Sequence, residues 1–95
     1  MRILSQSGII DLPYESIGVS INYKNNKEII AYPAGGYAPD DGYWIMAEYS
    51  SQEKAQKTME LLHKEYKKYN HYLGDTDDFV PPKIFKFPAD NEIGV

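Results

Sequence analysis

An amphipathic helix is written into residues 51–69, and the rest of the fold must cover its apolar stripe. Ser50 and Glu53 have the S-x-x-E spacing of a capping box, in which two side chains satisfy amides that a helix start leaves unpaired. Ala55, Met59, Leu62, Tyr66 and Tyr69 follow at intervals of four and three and so share one face. Glu53–Lys57 and Glu60–Lys64 have the favourable i,i+4 order, and Lys67 and Lys68 sit where the helix dipole attracts cations. The pattern runs out near Asn70, and His71 to Pro82 reads as a loop around the acidic run GDTDD.

The material to cover that stripe comes from short strands. Arg2 to Leu12 predicts a hairpin turning at Ser7-Gly8, with Ile3 opposite Leu12, Ser5 opposite Ile10, and Ile3, Ile10 and Leu12 facing the core. Ile17, Val19, Ile21 and Tyr23 alternate with Gly18, Ser20 and Asn22, the period of a half-buried strand. A turn at Asn25-Asn26 would return Glu28 to Tyr32 with Ile21 opposite Ile30 and Val19 opposite Tyr32. Pro33 to Gly42, PAGGYAPDDG, is a loop rich in chain breakers. Tyr43 to Tyr49 carries large apolar groups on both faces and predicts a central, doubly covered strand. Lys83 to Phe87, between Pro82 and Pro88, predicts an edge strand, and Asp90 to Val95 a frayed tail.

The expected fold is a single α+β domain, residues 1–95. An antiparallel sheet of about five or six short strands packs against one amphipathic helix at about residues 51–69. The chain has no cysteine, which excludes disulfides and thiolate metal sites and favours a reducing cytoplasm. It opens without the charged and apolar regions of a signal peptide, and no apolar run reaches the ~20 residues of a membrane span. Net charge is −4, which argues against nonspecific nucleic-acid binding. Five lysines against three glutamates leave residues 51–69 at +2 and the remainder at −6, so the domain is bipolar.

No catalytic constellation emerges. His63 and His71 are eight apart, whereas a helical zinc pair needs three or four, so no metal is expected. Asp75, Asp77 and Asp78 fail as a calcium loop, because Phe79 holds the third ligand position and no glutamate follows at the twelfth. Asp40 and Asp41 are adjacent and point apart in an extended chain, a poor acid–base couple. Gly35-Gly36 could bring backbone amides to a phosphate but matches neither a dinucleotide fingerprint nor a Walker loop. The chain therefore reads as non-enzymatic and free of cofactors.

Three segments carry a resemblance: MRILSQSGIIDLPYE at the start, AEYSSQEKAQKTMELL in the middle and KIFKFPADNEI near the end. Together they resemble a group of small uncharacterised phage and prophage proteins of Firmicutes and related gut bacteria, which begin MRILSQ-x-G-x-x-D-x-PYE and carry a later F-x-FP. The likeness covers about two-thirds of the chain and leaves Asn22 to Gly42 unmatched. It implies that hairpin, helix start and final strand determine the fold. The group has no established activity, so no residue role is carried over. By analogy with phage accessory proteins, which often bind host components, it suggests a role in counter-defence.

Three functions fit these features. The first is capture of a small nucleotide-like ligand, with bases stacking on Tyr37, Tyr43 or Trp44 and phosphates meeting Gly35, Gly36, Arg2 or the helix lysines Lys57, Lys64 and Lys68. The second is a protein-binding inhibitor or adaptor whose acidic residues Asp40, Asp41, Asp75, Asp77 and Asp78 contact a basic host protein. The third is a self-assembling homo-oligomer joined through the surplus apolar residues Leu4, Ile9, Trp44, Met46 and Leu61.

Overall fold

A computed structural model describes residues 1–33, 42–74 and 83–94, with side chains up to Tyr69 in the second span. Six strands and one helix run in the order β1 (Arg2–Leu4), β2 (Asp11–Pro13), β3 (Ile17–Asn22), β4 (Asn25–Pro33), β5 (Trp44–Glu48), α1 (Gln52–Gly74) and β6 (Ile84–Lys86). Short 3-10 turns occupy Tyr14–Ser16 and Asp90–Glu92.

The α+β class holds, but the strands form two sheets rather than one. Their orders are β2-β1-β6 and β3-β4-β5, and β1 and β6 run parallel. Gln6, just beyond β1, joins the sheets. Its N–H donates to the Met46 carbonyl at 2.7 Å, its Oε1 accepts from Glu48 N–H at 3.1 Å, and its Nε2 donates to the Pro88 carbonyl at 3.0 Å. One residue thus ties the first hairpin to β5 and to the chain beyond β6.

The first hairpin has the expected register, with Ile3 opposite Leu12 and Leu4 opposite Asp11. Its bend is closed by Gly8 N–H on the Ser5 carbonyl, and Gly8 takes the positive φ of 80° that favours glycine there. The second hairpin differs by one residue: Ile21 lies opposite Ile29 and Val19 opposite Ala31. The reason is Asn22. Its buried amide accepts from Lys24 N–H and donates to Glu28, each at 3.0 Å, so the chain turns at Tyr23-Lys24 rather than at Asn25-Asn26. Asn22→Leu should cost about 1–3 kcal/mol, because Glu28 and the Lys24 amide lose their partner. Urea unfolding measures the loss.

β5 is an edge strand, not the expected centre; β4 holds that place. The pairs Ile29–Ala47 and Ile30–Ile45 leave Met46 as the extra residue of a bulge. Met46 and Ala47 both turn inward, at 1% and 2% exposure, while Ile45 is exposed. Apolar residues on both faces thus mark a bulge at an edge here.

The helix starts one residue later than the capping box implies and runs to Gly74, past the expected end at Asn70. Ser51 Oγ accepts from Lys54 N–H at 3.2 Å. Ser50 N–H instead donates to Asp90 Oδ1 at 2.7 Å, and Lys54 Nζ reaches Asp90 Oδ2 at 3.1 Å. The supposed tail is therefore structured: its 3-10 turn covers the helix start and buries Ile93. Among the described residues neither Glu53–Lys57 nor Glu60–Lys64 closes as an ion pair; Glu65 pairs with Lys68 and Lys83.

The core joins both sheets to the helix: Ile3, Phe85 and Phe87 from one sheet, Ile29, Ala31 and Met46 from the other, Ala55 and Leu62 from α1. Ile17, Val19, Ile21, Met59, Tyr66 and Tyr69 pack around it half-buried. Thr58 is fully buried and donates its hydroxyl to the Lys54 carbonyl at 2.9 Å. Among the described residues no helix is long and apolar enough to cross a membrane.

Two carboxylates gain partners on folding. The hydrogen bond from Lys83 holds Glu65 below its ordinary value, and the Ser50 amide, with Lys54, does the same for Asp90. A depressed native pKa stabilises the fold above the unfolded value, and that contribution disappears as pH falls through the native one. The melting temperature should therefore drop as pH falls below the unfolded values of 4.5 for Glu65 and 3.8 for Asp90. A Lys54→Met, Lys83→Met double variant should show a shallower drop over that range in a pH series of melts.

Candidate functional site

Several chain segments meet at one pole of the molecule. Tyr14 N–H donates to the Met1 carbonyl at 2.9 Å and Arg2 N–H to the Lys83 carbonyl at 2.8 Å, so the starts of β1 and β6 lie beside the end of β2. Lys83 Nζ meets Glu65 Oε2 at 2.9 Å, which brings in the second half of α1. The Tyr66 ring stands 4.5 Å from that of Tyr14, and Tyr69 lies 6.4 Å from Tyr66. Three residues after Tyr14, Ile17 begins β3 opposite Pro33, the last residue of β4. Trp44 opens β5 opposite Ala31 at the same end of the second sheet.

The pole therefore collects Tyr14, Tyr66 and Tyr69 and the cations Lys68 and Lys83, while Arg2 and Trp44 open strands at the same end. Lys68 lies 3.7 Å from Glu65, so two lysines share one carboxylate and one positive charge is in surplus. Burial, then the Tyr66 and Glu15 side chains, raise the Tyr14 pKa; the phenol stays neutral at ordinary pH and can both donate and accept. The Met1 ammonium donates to Glu15 Oε1 at 2.6 Å beside it. Rings and cations gathered at one end of a molecule suit a planar anion, because a base can stack on a ring while a phosphate meets ammonium groups.

Of the residues expected to bind a ligand, Lys68 lies at this pole through its 3.7 Å contact with Glu65, and Arg2 and Trp44 open strands at this end of the two sheets. Arg2 is not free: its Nε donates to Asp11 Oδ1 at 2.9 Å. That pair is exposed, and such pairs are worth only about 0–1 kcal/mol, so an incoming anion can displace Asp11. Lys64 is exposed two residues before Tyr66, about 200° around the helix, so it faces away from that ring and does not join the group. Lys57 is separated from Tyr66 by about 13 Å along the helix axis and does not join the group. Tyr43 is half-buried directly before β5, and Trp44 packs partly against the core. Gly35, Gly36, Tyr37, Asp40 and Asp41, and likewise Asp75, Asp77 and Asp78, lie outside the described residues. Of the surplus apolar residues, Met46 belongs to the core, Ile9 is exposed, Leu4 and Trp44 are half-buried and Leu61 is partly exposed.

Sequence reasoning missed Tyr14 and Lys83. Tyr14 sits on a 3-10 turn with no periodic pattern, and its meeting with Tyr66 spans most of the chain. Tyr66 and Tyr69 counted only as part of the helix stripe, although their rings remain half-exposed. At the opposite pole, Gln6, Lys86, Phe87, Pro88, Ala89 and Glu92 line a depression of about 380 Å³. Its Gln6 and Glu92 side chains are already engaged, with the Pro88 carbonyl and the Ala89 amide.

Family models, curated proteins and solved structures give no match to this chain.

Proposed function

We propose that the tyrosine-lined pole binds a small nucleotide-like anion without transforming it chemically. The supporting observation is the Tyr14–Tyr66 contact at 4.5 Å beside Glu65 and its two lysines, at the end of the molecule where β5 begins with Trp44. On this reading the protein is a cytoplasmic, phage-type accessory protein that sequesters its ligand, and counter-defence is the role its resemblance suggests. A thermal-shift panel of cyclic and linear nucleotides tests the binding. A true ligand at 100 times its Kd stabilises the fold by about 2.7 kcal/mol. Trp44 is the sole tryptophan, so its fluorescence should respond to the same compound. Lys68→Gln should weaken the response with little change in the unliganded melting temperature, because its pair with Glu65 is exposed. No shift with any nucleotide would reject the reading.

A further inference from the structure

Each of the two sheets has two edges, and three of the four are guarded. The β2 edge carries Asp11 and Pro13, the β6 edge is flanked by Lys83 and Lys86, and the β5 edge is capped by Gln6 through its main chain and its side chain. Charges, prolines and covering groups are the usual means of keeping an open edge from pairing with another chain. Among the described residues, the fourth edge, β3, has none of them. Its six residues, IGVSIN, include no charge and no proline. Among the described residues, Gly18 to Ile21 make no hydrogen bond on the side away from β4.

The β3 sequence also selects its partner. Ile17, Val19 and Ile21 form the inward row, and all three are only half-buried. The row is palindromic about Val19. In an antiparallel pair, directly opposite residues point to the same face. A second copy related by a two-fold axis through Val19 would place Val19 against itself, Ile17 against Ile21 and Gly18 against Ser20. Apolar residues then meet apolar ones on the helix side, and small ones meet small ones on the other. Tyr32, opposite Gly18 in β4, lies across that glycine closely enough that a methyl at position 18 would collide with its ring. The partly exposed ring would extend the contact over the outer face.

We propose that the chain forms a symmetric dimer by antiparallel pairing of β3 with β3 of a second copy. The two β3-β4-β5 sheets become one six-stranded sheet with both helices on the same side. The interface is isologous and closed, so assembly stops at two. The proposal is independent of ligand binding.

Sedimentation of the ligand-free protein across the micromolar range tests it, together with two variants at the axis. The chain should sediment as a dimer, and Val19→Lys, which sets two ammonium groups face to face, should sediment as a folded monomer. The absence of native cysteine allows a second test. Val19→Cys should cross-link to a dimer under oxidised glutathione much faster than Leu61→Cys on the helix. If Val19→Lys does not fold, the cross-linking comparison decides. A monomer at every concentration, a dimer retained in folded Val19→Lys, or equal cross-linking rates for the two cysteine variants would overturn the proposal.

Discussion

Phe87→Ala should lower the unfolding free energy by about 3–5 kcal/mol, the usual loss for a fully buried phenylalanine. Phe87 is 1% exposed, and its ring meets Phe85 edge-on with centroids 5.4 Å apart. Its N–H donates to the Leu4 carbonyl at 3.0 Å, which holds the chain beyond β6 against β1. Truncation would leave a cavity where the first sheet enters the common core, and the short strands around it have few other contacts with which to close it. A domain has roughly 5–15 kcal/mol of stability in all, so this change removes a large share. Ile84→Ala, at an exposed position of the same strand, should stay within about 0.5 kcal/mol of the parent. Urea denaturation of the two variants makes the comparison, and equal small losses would mean that the first sheet does not share the core.

Gln6→Ala should cost about 2 kcal/mol. Two side-chain hydrogen bonds are lost, each worth about 0.5–1.5 kcal/mol net, and the Glu48 amide loses its acceptor. The Pro88 carbonyl is less affected, because Tyr49 also donates to it, at 2.8 Å. Gln6→Glu separates the two bonds. A carboxylate still accepts from Glu48 N–H but faces the Pro88 carbonyl with no donor, near the acidic side chains of Glu48 and Glu92. It should rescue little at neutral pH and more on acidification, once a proton restores the donor. Melts of both variants at neutral and mildly acidic pH test this, and a full rescue by glutamate at neutral pH would show that the Pro88 bond carries no weight.

The parts of the fold visible in the sequence are those set by local chemistry. The helix face follows from its four-three spacing, and the first register from a glycine at a bend. The errors arose where a specific side-chain partner, near or far in sequence, overrode a propensity signal. Ser50 looks like a cap, but its amide is taken by Asp90 from 40 residues away, and Ser51 caps instead. Asn25-Asn26 looks like a turn, but the buried Asn22 side chain fixes the bend earlier. Strand order was out of reach because Gln6 bridges the sheets through groups that carry no periodicity. Three segments far apart in sequence meet at one point in the structure, where Gln6 and Tyr49 both donate to the Pro88 carbonyl. The candidate site was legible only as residue types: aromatics and lysines were conspicuous, but the meeting of Tyr14 with Tyr66 depends on how the sheets pack.

On the proposed function, rings and cations brought together at one pole form a recognition surface. Amide chemical-shift mapping by NMR, with the nucleotide that gives the largest thermal shift, tests it residue by residue. Perturbations should concentrate at Arg2, Tyr14, Trp44, Tyr66 and Lys68. Perturbations confined to Gln6, Lys86 and Glu92 at the opposite pole, or none at saturating nucleotide, would contradict it.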